Sequence, residues 1–488
     1  MNTCRALWLL GAASAVVWGC GQVTSDDPDA AGGEEQTDAA EPPPDAGEGA
    51  DAGENGETCF EHFHCDSGAC DIGGGFCVDE RNIVYVDPDA GEDAEDCGEK
   101  HQPCESVGDG QGDGALAKVG VGRDRVVLAG GSYDEQVTIT SMTVMMIATN
   151  QDAVIAPEES GTAVRAELGA NVILDGVDIA TSSGTGISVA GGVDLVIQDA
   201  EIDIGTSTDF GTGLRCDTEE PPNRVLVRDT AIRGAGSGTT PLSRGGVLAA
   251  DGCEVDIRDS DISDNRGTGA IALSGATVTI QDSRIANNGS DDGYPGVVSQ
   301  GLTTELIIER SHILGNGDGD GTGEGVEARS GTLEITRSTV EDNSNTGIDA
   351  SGESAVVVNN VVVGNFPGLR VSPDGGQVEH NTIVENEFRG IQCNDDTSGH
   401  SNIVWDNGTE DDDQVSGCEL EDYSSIQGGG DGEGTIDTNC ELDSDFRLSA
   451  GSPCIGAGDP DSEVDDDIDG TSRPQGDRHD IGAHEFAQ

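Results

Sequence analysis

The stretch that decides the fold reads Val255-Asp256-Ile257-Arg258-Asp259-Ser260-Asp261-Ile262, with Asn265 three positions later. Apolar and polar residues alternate in it, and a serine stands two positions before the last apolar residue. The same pattern returns at 278–288, 306–316 and 333–343, and in tighter form at 360–365, 381–386 and 402–407. Alternation with a period of two is typical of a half-buried β-strand. The pattern therefore predicts strands that repeat along the chain.

The spacing of the copies is that of a solenoid. The last apolar residue of each copy, taken as an anchor, falls at 179, 202, 232, 262, 285, 313, 340, 362, 383 and 404. Self-similarity with steps of 21 to 30 residues is typical of solenoids. Leucine-rich repeats share this period, but their leucine-dense consensus and helical stretches are missing. A second short strand follows after a glycine, at 186–189, 246–249, 347–350 and 390–393.

Stacked coils of this kind have a predictable register. Each strand should pair in parallel with its copy one turn away, and ten turns at about 4.8 Å should span roughly 50 Å. The anchors should point inward, so that Ile285 is buried and Arg284 is exposed. From Ile262 onward, an asparagine stands three residues after each anchor, and these asparagines should stack on their neighbours and bond to their backbones along the bend.

These repeats resemble the right-handed parallel β-helix, or pectin-lyase-like, superfamily over about residues 83–430. The resemblance implies an all-β solenoid of about ten or more turns, which we place at 81–430. Residues 82–139 resemble the opening of exported members, and their expected role is to cap the first coil. The fold hosts lyases, hydrolases, epimerases, adhesins and plain scaffolds, so the architecture alone indicates little about function.

The charge of the chain limits its partners. Its 95 acidic residues outnumber 23 Lys and Arg, which gives a net charge of −72. Nucleic acid and anionic membrane surfaces need a basic face, so neither is an expected partner. Cations or a saline medium suit this charge better. A halophilic host, whose proteins are all acidic, would explain it equally.

The N-terminus predicts export. Residues 1–20 have the single charge Arg5 and an apolar stretch too short to span a membrane, as a signal peptide does. Their end, Val17-Trp18-Gly19-Cys20, resembles a bacterial lipobox, which implies a lipoprotein lipidated at Cys20. Gly21 after that cysteine favours the outer membrane over the inner one. The alternative is a cleaved signal and a soluble secreted protein.

The next segment, 21–58, is an acidic linker. It lacks Lys and Arg and is rich in Asp, Glu, Ala, Gly and Pro, so it is expected to be disordered. Its mean reach is roughly 35 Å by flexible-chain scaling. It should act as a tether.

A cysteine-rich knot is predicted at 59–80. Its cysteines Cys59, Cys65, Cys70 and Cys77 surround two histidines, so zinc or disulfides are both open, and export favours disulfides. Three disulfide pairings are possible in the knot. The other candidates form near neighbours: Cys97 with Cys104, Cys216 with Cys253, Cys393 with Cys418, and Cys440 with Cys454.

The C-terminal segment, 431–488, has a pattern of its own. Asp445-Phe446-Arg447-Leu448 and Asp480-Ile481-Gly482-Ala483-His484-Glu485 resemble the tail called a choice-of-anchor Q domain. That resemblance implies display at a surface, not chemistry.

Residues that carry chemistry are sparse. Asn316, Asp318, Asp320 and Glu327 fit a calcium-loop pattern with Asn in the first position, so calcium is the one cofactor that the sequence indicates. Asp465, Asp467 and Asp469 are a second acidic candidate. Asn394-Asp395-Asp396 with Gly399-His400 faintly resembles polygalacturonase motifs, and we attribute this to chance. His380 and Arg389 are interpreted as solvated groups, not as a base. We predict no catalytic residues.

We therefore expect a monomeric, lipid-anchored protein at the cell surface or facing the periplasm. It would act as a non-enzymatic scaffold, adhesion or glycan-contact module, with the membrane and a polysaccharide or cell-surface molecule as partners. The alternative is a polysaccharide-active enzyme, a lyase or a hydrolase, of the same fold.

Overall fold

The ten anchor residues lie on one line. The computed structural model describes residues 58–487 except 109–111, 113, 151, 206–210, 218–220, 237–241, 291–292, 320, 373–375, 395, 409–413 and 419–421. Each anchor is the register partner of the next in parallel strands, from Ile179 with Ile202 to Ile383 with Val404. The prediction of a parallel β-helix in this register is confirmed. The predicted signal peptide, the predicted lipidation site Cys20 and almost all of the predicted linker lie outside the described residues.

Each coil contributes strands to three parallel sheets, which have 13, 13 and 12 strands in the described chain. The first sheet contains Ile83–Val86, Arg125–Leu128, Thr143–Ala148, Asn171–Asp175, Asp194–Gln198, Arg224–Arg228, Glu254–Arg258, Thr277–Gln281, Glu305–Glu309, Thr332–Thr336, Ser354–Val358, Gln377–Glu379 and Ser398–His400. The second contains Gly131–Tyr133, Ala153–Ile155, Asp178–Thr181, Glu201–Ile204, Ala231–Arg233, Asp261–Ser263, Arg284–Ala286, His312–Leu314, Thr339–Glu341, Val361–Val363, Thr382–Val384, Ile403–Trp405 and Ser425–Ile426. The third contains Val137–Thr140, Gly161–Glu167, Gly184–Ala190, Gly211–Asp217, Gly245–Ala250, Thr268–Leu273, Val297–Gln300, Val326–Ala328, Ile348–Ala350, Leu369–Val371, Ile391–Cys393 and Val415–Ser416.

The remaining elements are short. One antiparallel hairpin joins Cys70–Asp71 to Phe76–Cys77, and 3-10 turns span His62–His64, Glu80–Asn82 and Ala115–Lys118. Within the described ranges, no helical segment combines the length and the apolarity needed to cross a bilayer.

The repeated pattern spans two strands and the bend between them. In the coil that begins at Glu254, Val255, Ile257 and Ile262 are at most 2% exposed and form the core. Between them, Asp259 adopts a left-handed φ of 48°, which turns the chain from the first sheet into the second. Aspartate and asparagine tolerate this conformation better than most residues with a side chain. The polar residues of the pattern thus make the corner.

Asparagines form a continuous ladder at the next bend, as predicted. Each amide nitrogen donates to the amide oxygen of the next coil at 2.8–3.2 Å, and the ladder ends on Gln414. Its members are Asn265, Asn288, Asn316, Asn343, Asn365, Asn386 and Asn407. Each is almost fully buried. The ladder satisfies backbone groups that the corner would otherwise leave unpaired.

Disulfides close the cysteine-rich module and brace the coils. In the knot, Cys59 bonds to Cys70 and Cys65 to Cys77, so these thiols are not available to zinc. The other four pairs are those expected from sequence proximity, Cys97–Cys104, Cys216–Cys253, Cys393–Cys418 and Cys440–Cys454. Buried His62 docks the knot on the first sheet, because its Nε2 lies 2.9 Å from Asp175 Oδ2.

The C-terminal segment packs on the outer face of the second sheet. There Val361, Val363, Val384 and Ile403 point away from the solenoid core and are nevertheless buried. They contact an apolar cluster of the tail that includes Leu448 and Ile481. Consecutive apolar residues in these strands are the local signal that both faces are covered.

Candidate functional site

A groove of about 1040 Å³ lies where the bend between the first and second sheets meets the tail. Its floor comes from six successive coils, and one wall comes from the tail. Each coil of a solenoid places one residue at each equivalent position. Such a groove therefore presents a regular array of side chains. This surface is the candidate site.

Two ladders of side chains form most of the floor. The bend ladder consists of Asp229, Asp259, Asp282, Arg310 and Arg337, all with φ between 47° and 51°. The strand ladder beside it includes Asp261, Arg284, His312 and Thr339. Both ladders change from acidic to basic along the solenoid. The groove lining therefore holds three arginines among six aspartates, with the arginines toward one end of the floor.

The arginines of the floor are bound to carboxylates of the preceding coil. Arg310 donates through Nε and Nη2 to the two oxygens of Asp282, each at 2.8 Å. Arg284 Nη1 lies 3.2 Å from both oxygens of Asp261. Hydrogen bonds from Arg310 favour the charged carboxylate and lower the pKa of Asp282. These pairs hold the floor side chains in fixed positions.

Arg337 connects the floor to the tail. Its Nη2 donates to Glu309 Oε1 at 2.5 Å, and its Nη1 donates to Asp466 Oδ2 at 2.9 Å. Asn359 Nδ2 adds a bond of 2.7 Å to the carbonyl of Asp466. The position of the tail wall is therefore coupled to the floor.

The tail wall consists of Asp445, Phe446, Ile468, Asp469 and His484. Asp469 accepts a bond of 2.6 Å from Arg447 and lies 3.7 Å from His484 Nε2. Burial lowers the pKa of His484, so its imidazole is neutral at neutral pH. The wall combines apolar surface with a neutral imidazole, and both can contact a polar ligand that carries apolar faces.

The predicted calcium loop lies outside this groove, and three of its four ligands have other partners. The amide oxygen of buried Asn316 accepts from the backbone and side-chain nitrogens of Asn288, both at 3.0 Å. Both oxygens of Glu327 accept from Arg329, at 2.7 and 2.9 Å. Asp318 accepts from Thr322, and Asp320 lies outside the described residues. The calcium site stays a prediction, and the geometry does not favour it.

A calorimetric titration checks this loop. Because Asn316 and Glu327 are engaged elsewhere, we expect the parent and the Asp320→Ala, Glu327→Ala double variant to give the same calcium isotherm. The titration needs salt concentrated enough to screen diffuse binding to the acidic surface. One saturable site that disappears in the variant would instead establish a bound calcium.

The structure also shows where the other polar residues discussed from the sequence lie. The interpretation of His380 as a solvated group is wrong, because the tail covers this residue and leaves it 0% exposed. Arg389 is half-buried, with its guanidinium 4.9 Å from the Phe388 ring centroid. In the second acidic candidate, Asp467 is buried and accepts from the backbone nitrogens of Asp469, Thr471 and Glu485. That carboxylate shapes the tail.

The sequence did not single out the groove. The sequence feature that marks the groove floor is the residue just before the Ser or Asn of each repeat. This residue changes from Asp to Arg at Arg310. That change shows a charged ladder, but only the position of the tail turns the ladder into a groove. The tail has no repeat whose register predicts where it packs.

A match to a protein-family model agrees with the fold. Residues 245–409, about a third of the chain, match the family model described as the right handed beta helix region. No curated protein matches the chain. Among solved structures, pectate lyase Pel9A is similar at 17% identity and TM-score 0.44, over 83% of this chain and 96% of that one. The A-module of the Azotobacter vinelandii mannuronan C-5 epimerase AlgE4 is similar at 14% identity and TM-score 0.42, over 64% and 91%.

Proposed function

We propose that this chain is an exported, lipid-anchored β-helix protein that binds a polysaccharide in its groove without transforming it. The observation that carries the proposal is the array of ion pairs along the groove floor. Rigid polar side chains, repeated once per coil, fit a ligand that repeats along its own length. The expected setting is the cell surface or the periplasmic side of the outer membrane, with the protein as a monomer.

The pairing of the charges favours recognition over catalysis. A general base must accept a proton, and bonding to Arg310 lowers the basicity of Asp282. The guanidinium groups of Arg284 and Arg310 are directed to carboxylates at 2.8–3.2 Å. Such fixed donors and acceptors suit hydroxyl groups of a sugar chain, because their positions cost little to organise on binding.

A pair of exposed aromatic side chains also supports contact with sugars. Phe366 and Phe388, on consecutive coils, stack with ring centroids 5.2 Å apart, and both remain at least 40% exposed. Exposed aromatic side chains are common in carbohydrate clefts. This pair lies at the asparagine-ladder bend, so it would form a contact separate from the groove.

The enzyme alternative rests on the two histidines of the groove. His484 is neutral at neutral pH, which is the form that a general base requires. His312 lines the same groove, and its Nε2 lies 2.9 Å from Glu341 Oε1. A polysaccharide lyase or hydrolase would place its scissile bond between these two rings.

Binding to the groove is tested with Arg310. We expect Arg310→Ala to weaken binding of neutral or uronic-acid oligosaccharides at least about tenfold, because a charged hydrogen-bond donor is lost. Calorimetric titration of a panel of oligosaccharides measures the effect. Arg165→Gln is the matched control, since Arg165 is an exposed residue of the third sheet that is paired with Glu167. Equal affinities for the parent and Arg310→Ala would place binding elsewhere and refute the groove.

The anchor is tested at Cys20. We expect Cys20→Ser to lose its lipid and to appear in the soluble fraction, because one thioether-linked lipid group is the only attachment proposed. Fractionation in high salt and mass spectrometry of the N-terminus measure this. A Cys20→Ser variant that still sediments with membranes would refute the lipobox interpretation.

A further inference from the structure

A buried charged cluster lies between the tail and the last coils. Arg473 of the tail has a fully buried side chain, and its Nη1 pairs with Glu485 Oε2 at 3.0 Å. Its Nη2 donates to the carbonyl of Gly482 at 2.7 Å and to Asn359 Oδ1 at 3.3 Å. The last bond reaches the solenoid. A buried guanidinium is costly unless it is well bonded, and the bond to Asn359 is available only while the tail is docked.

His380 lies on the solenoid side of the same junction. It is 0% exposed, and its Nε2 lies 2.9 Å from the hydroxyl of Ser462 in the tail. Two further imidazoles flank it: the ring centroid of His400 is 5.5 Å away, and that of His479 in the tail is 5.7 Å away. Three imidazoles thus meet at one contact between two parts of the chain.

The charged groups around His380 are of both signs. The cation Arg473 and the imidazoles His400 and His479 disfavour a positive charge on it. Carboxylates lie at the edges of the junction, where His400 Nε2 is 3.5 Å from Glu379 Oε1 and 3.8 Å from Asp459 Oδ2. Asp480 and Glu485 accept from tail backbone nitrogens, and Glu485 also bonds to Arg473.

Three backbone amides of the tail also bond to the solenoid near this cluster. Gly482 N donates to the carbonyl of Ser401 at 2.8 Å, and Ala483 N donates to Thr382 Oγ1 at 3.0 Å. The backbone nitrogen of Asp459 donates to Ser401 Oγ at 2.9 Å. These amides exchange with solvent only when the tail leaves the sheet, so they report on its release.

We propose that this cluster is an acid-sensitive latch, in which protonation of His380 releases the tail from the second sheet. Because the tail forms one wall of the groove, its release opens the groove. This second step rests on the proposed function of the groove as a binding site, whereas the release itself does not.

The direction of the pH effect follows from His380. Burial, followed by the charge of Arg473 and the two neighbouring imidazoles, holds the pKa of His380 well below its usual range. A group whose pKa is lowered on docking stabilises the docked tail above about pH 6.5, and this stability is lost as the pH falls further. Burial raises the pKa of Asp480, which acts in the opposite direction at lower pH.

Hydrogen exchange tests the latch in the full-length protein. We expect the open fraction of the tail, read at Gly482 and Ala483, to rise about tenfold for each pH unit below about 6.5. Exchange rates must first be corrected for the intrinsic pH dependence of amide exchange. In His380→Gln this rise should become smaller, and what remains should come from His484, whose pKa burial also lowers. His101→Gln, at an exposed position, should behave as the parent.

Ser462→Ala provides a second test that does not alter the histidine. It removes the bond to His380, so we expect a larger open fraction at every pH with the same acid response. An open fraction that does not change between about pH 7.5 and about pH 5.5 would refute the latch. An unchanged acid response in His380→Gln would refute it too. If the tail opens in acid but no oligosaccharide binds, the proposed function fails and the latch stands.

Discussion

Ile285→Asp is expected to lower the free energy of unfolding by at least about 4 kcal/mol. Ile285 is 0% exposed and lies between Ile262 and Ile313 in the inward ladder of the second sheet. A carboxylate there would have apolar side chains above and below it. The resulting shift in the unfolding transition can be measured by thermal and chemical denaturation followed by circular dichroism.

Arg284→Gln, at the neighbouring position in the same strand, is the control for Ile285→Asp. The Arg284 side chain is 40% exposed and pairs with Asp261 across coils. Exposed pairs of this kind contribute about 1 kcal/mol or less, so we expect a small change. If both variants melt at the same temperature, the assignment of inward and outward residues in this strand is wrong.

Asn316→Leu should destabilise the solenoid by roughly 3–6 kcal/mol, since several buried groups lose their partners at once. Oδ1 of Asn316 accepts hydrogen bonds from the backbone and side-chain nitrogens of Asn288. Its Nδ2 donates to Asn343 Oδ1 and to the carbonyl of Ile285. Leucine has the same branching as asparagine but forms none of these hydrogen bonds. Denaturant titration gives the free energy, and hydrogen exchange shows whether the loss centres on these coils.

Asn287→Gly is the control for Asn316→Leu, because it changes an asparagine of the same region that is not part of the ladder. Asn287 is exposed and has a φ of 53°, which glycine adopts without strain. We expect a change within about 0.5 kcal/mol. A stable Asn316→Leu protein with native exchange rates would show that the ladder does not hold the coils together.

The solenoid could be predicted from the sequence because its physics is local and repeated. The alternation at Val255, Ile257 and Ile262 fixes which residues face inward, and any slip of register by one residue would expose them. The asparagine ladder follows from the same register, since identical positions meet on consecutive coils. The four cysteine pairs outside the knot were also predictable from their short separation in the sequence, because closing a short loop costs little entropy.

The site could not be predicted in the same way, because it depends on the tail. Arg310 and Arg337 stand out in the repeat, but Asp466, Asp469 and His484 approach them from more than 100 residues further along the chain. His380 shows the same limit. Its position in the repeat points outward, and solvent exposure is the reasonable expectation until Ser462 and His479 cover it. Long-range packing of an irregular segment leaves no periodic signal.

The most direct test of the central claim is a turnover assay with the purified full-length protein. Neutral and uronic-acid polysaccharides are incubated with the parent and with His484→Gln, and eliminated and reducing ends are followed over time. A protein that binds without transforming its ligand predicts no release of ends above the background in either sample. Ends released at a steady rate by the parent and lost in His484→Gln would contradict the claim and establish an enzyme.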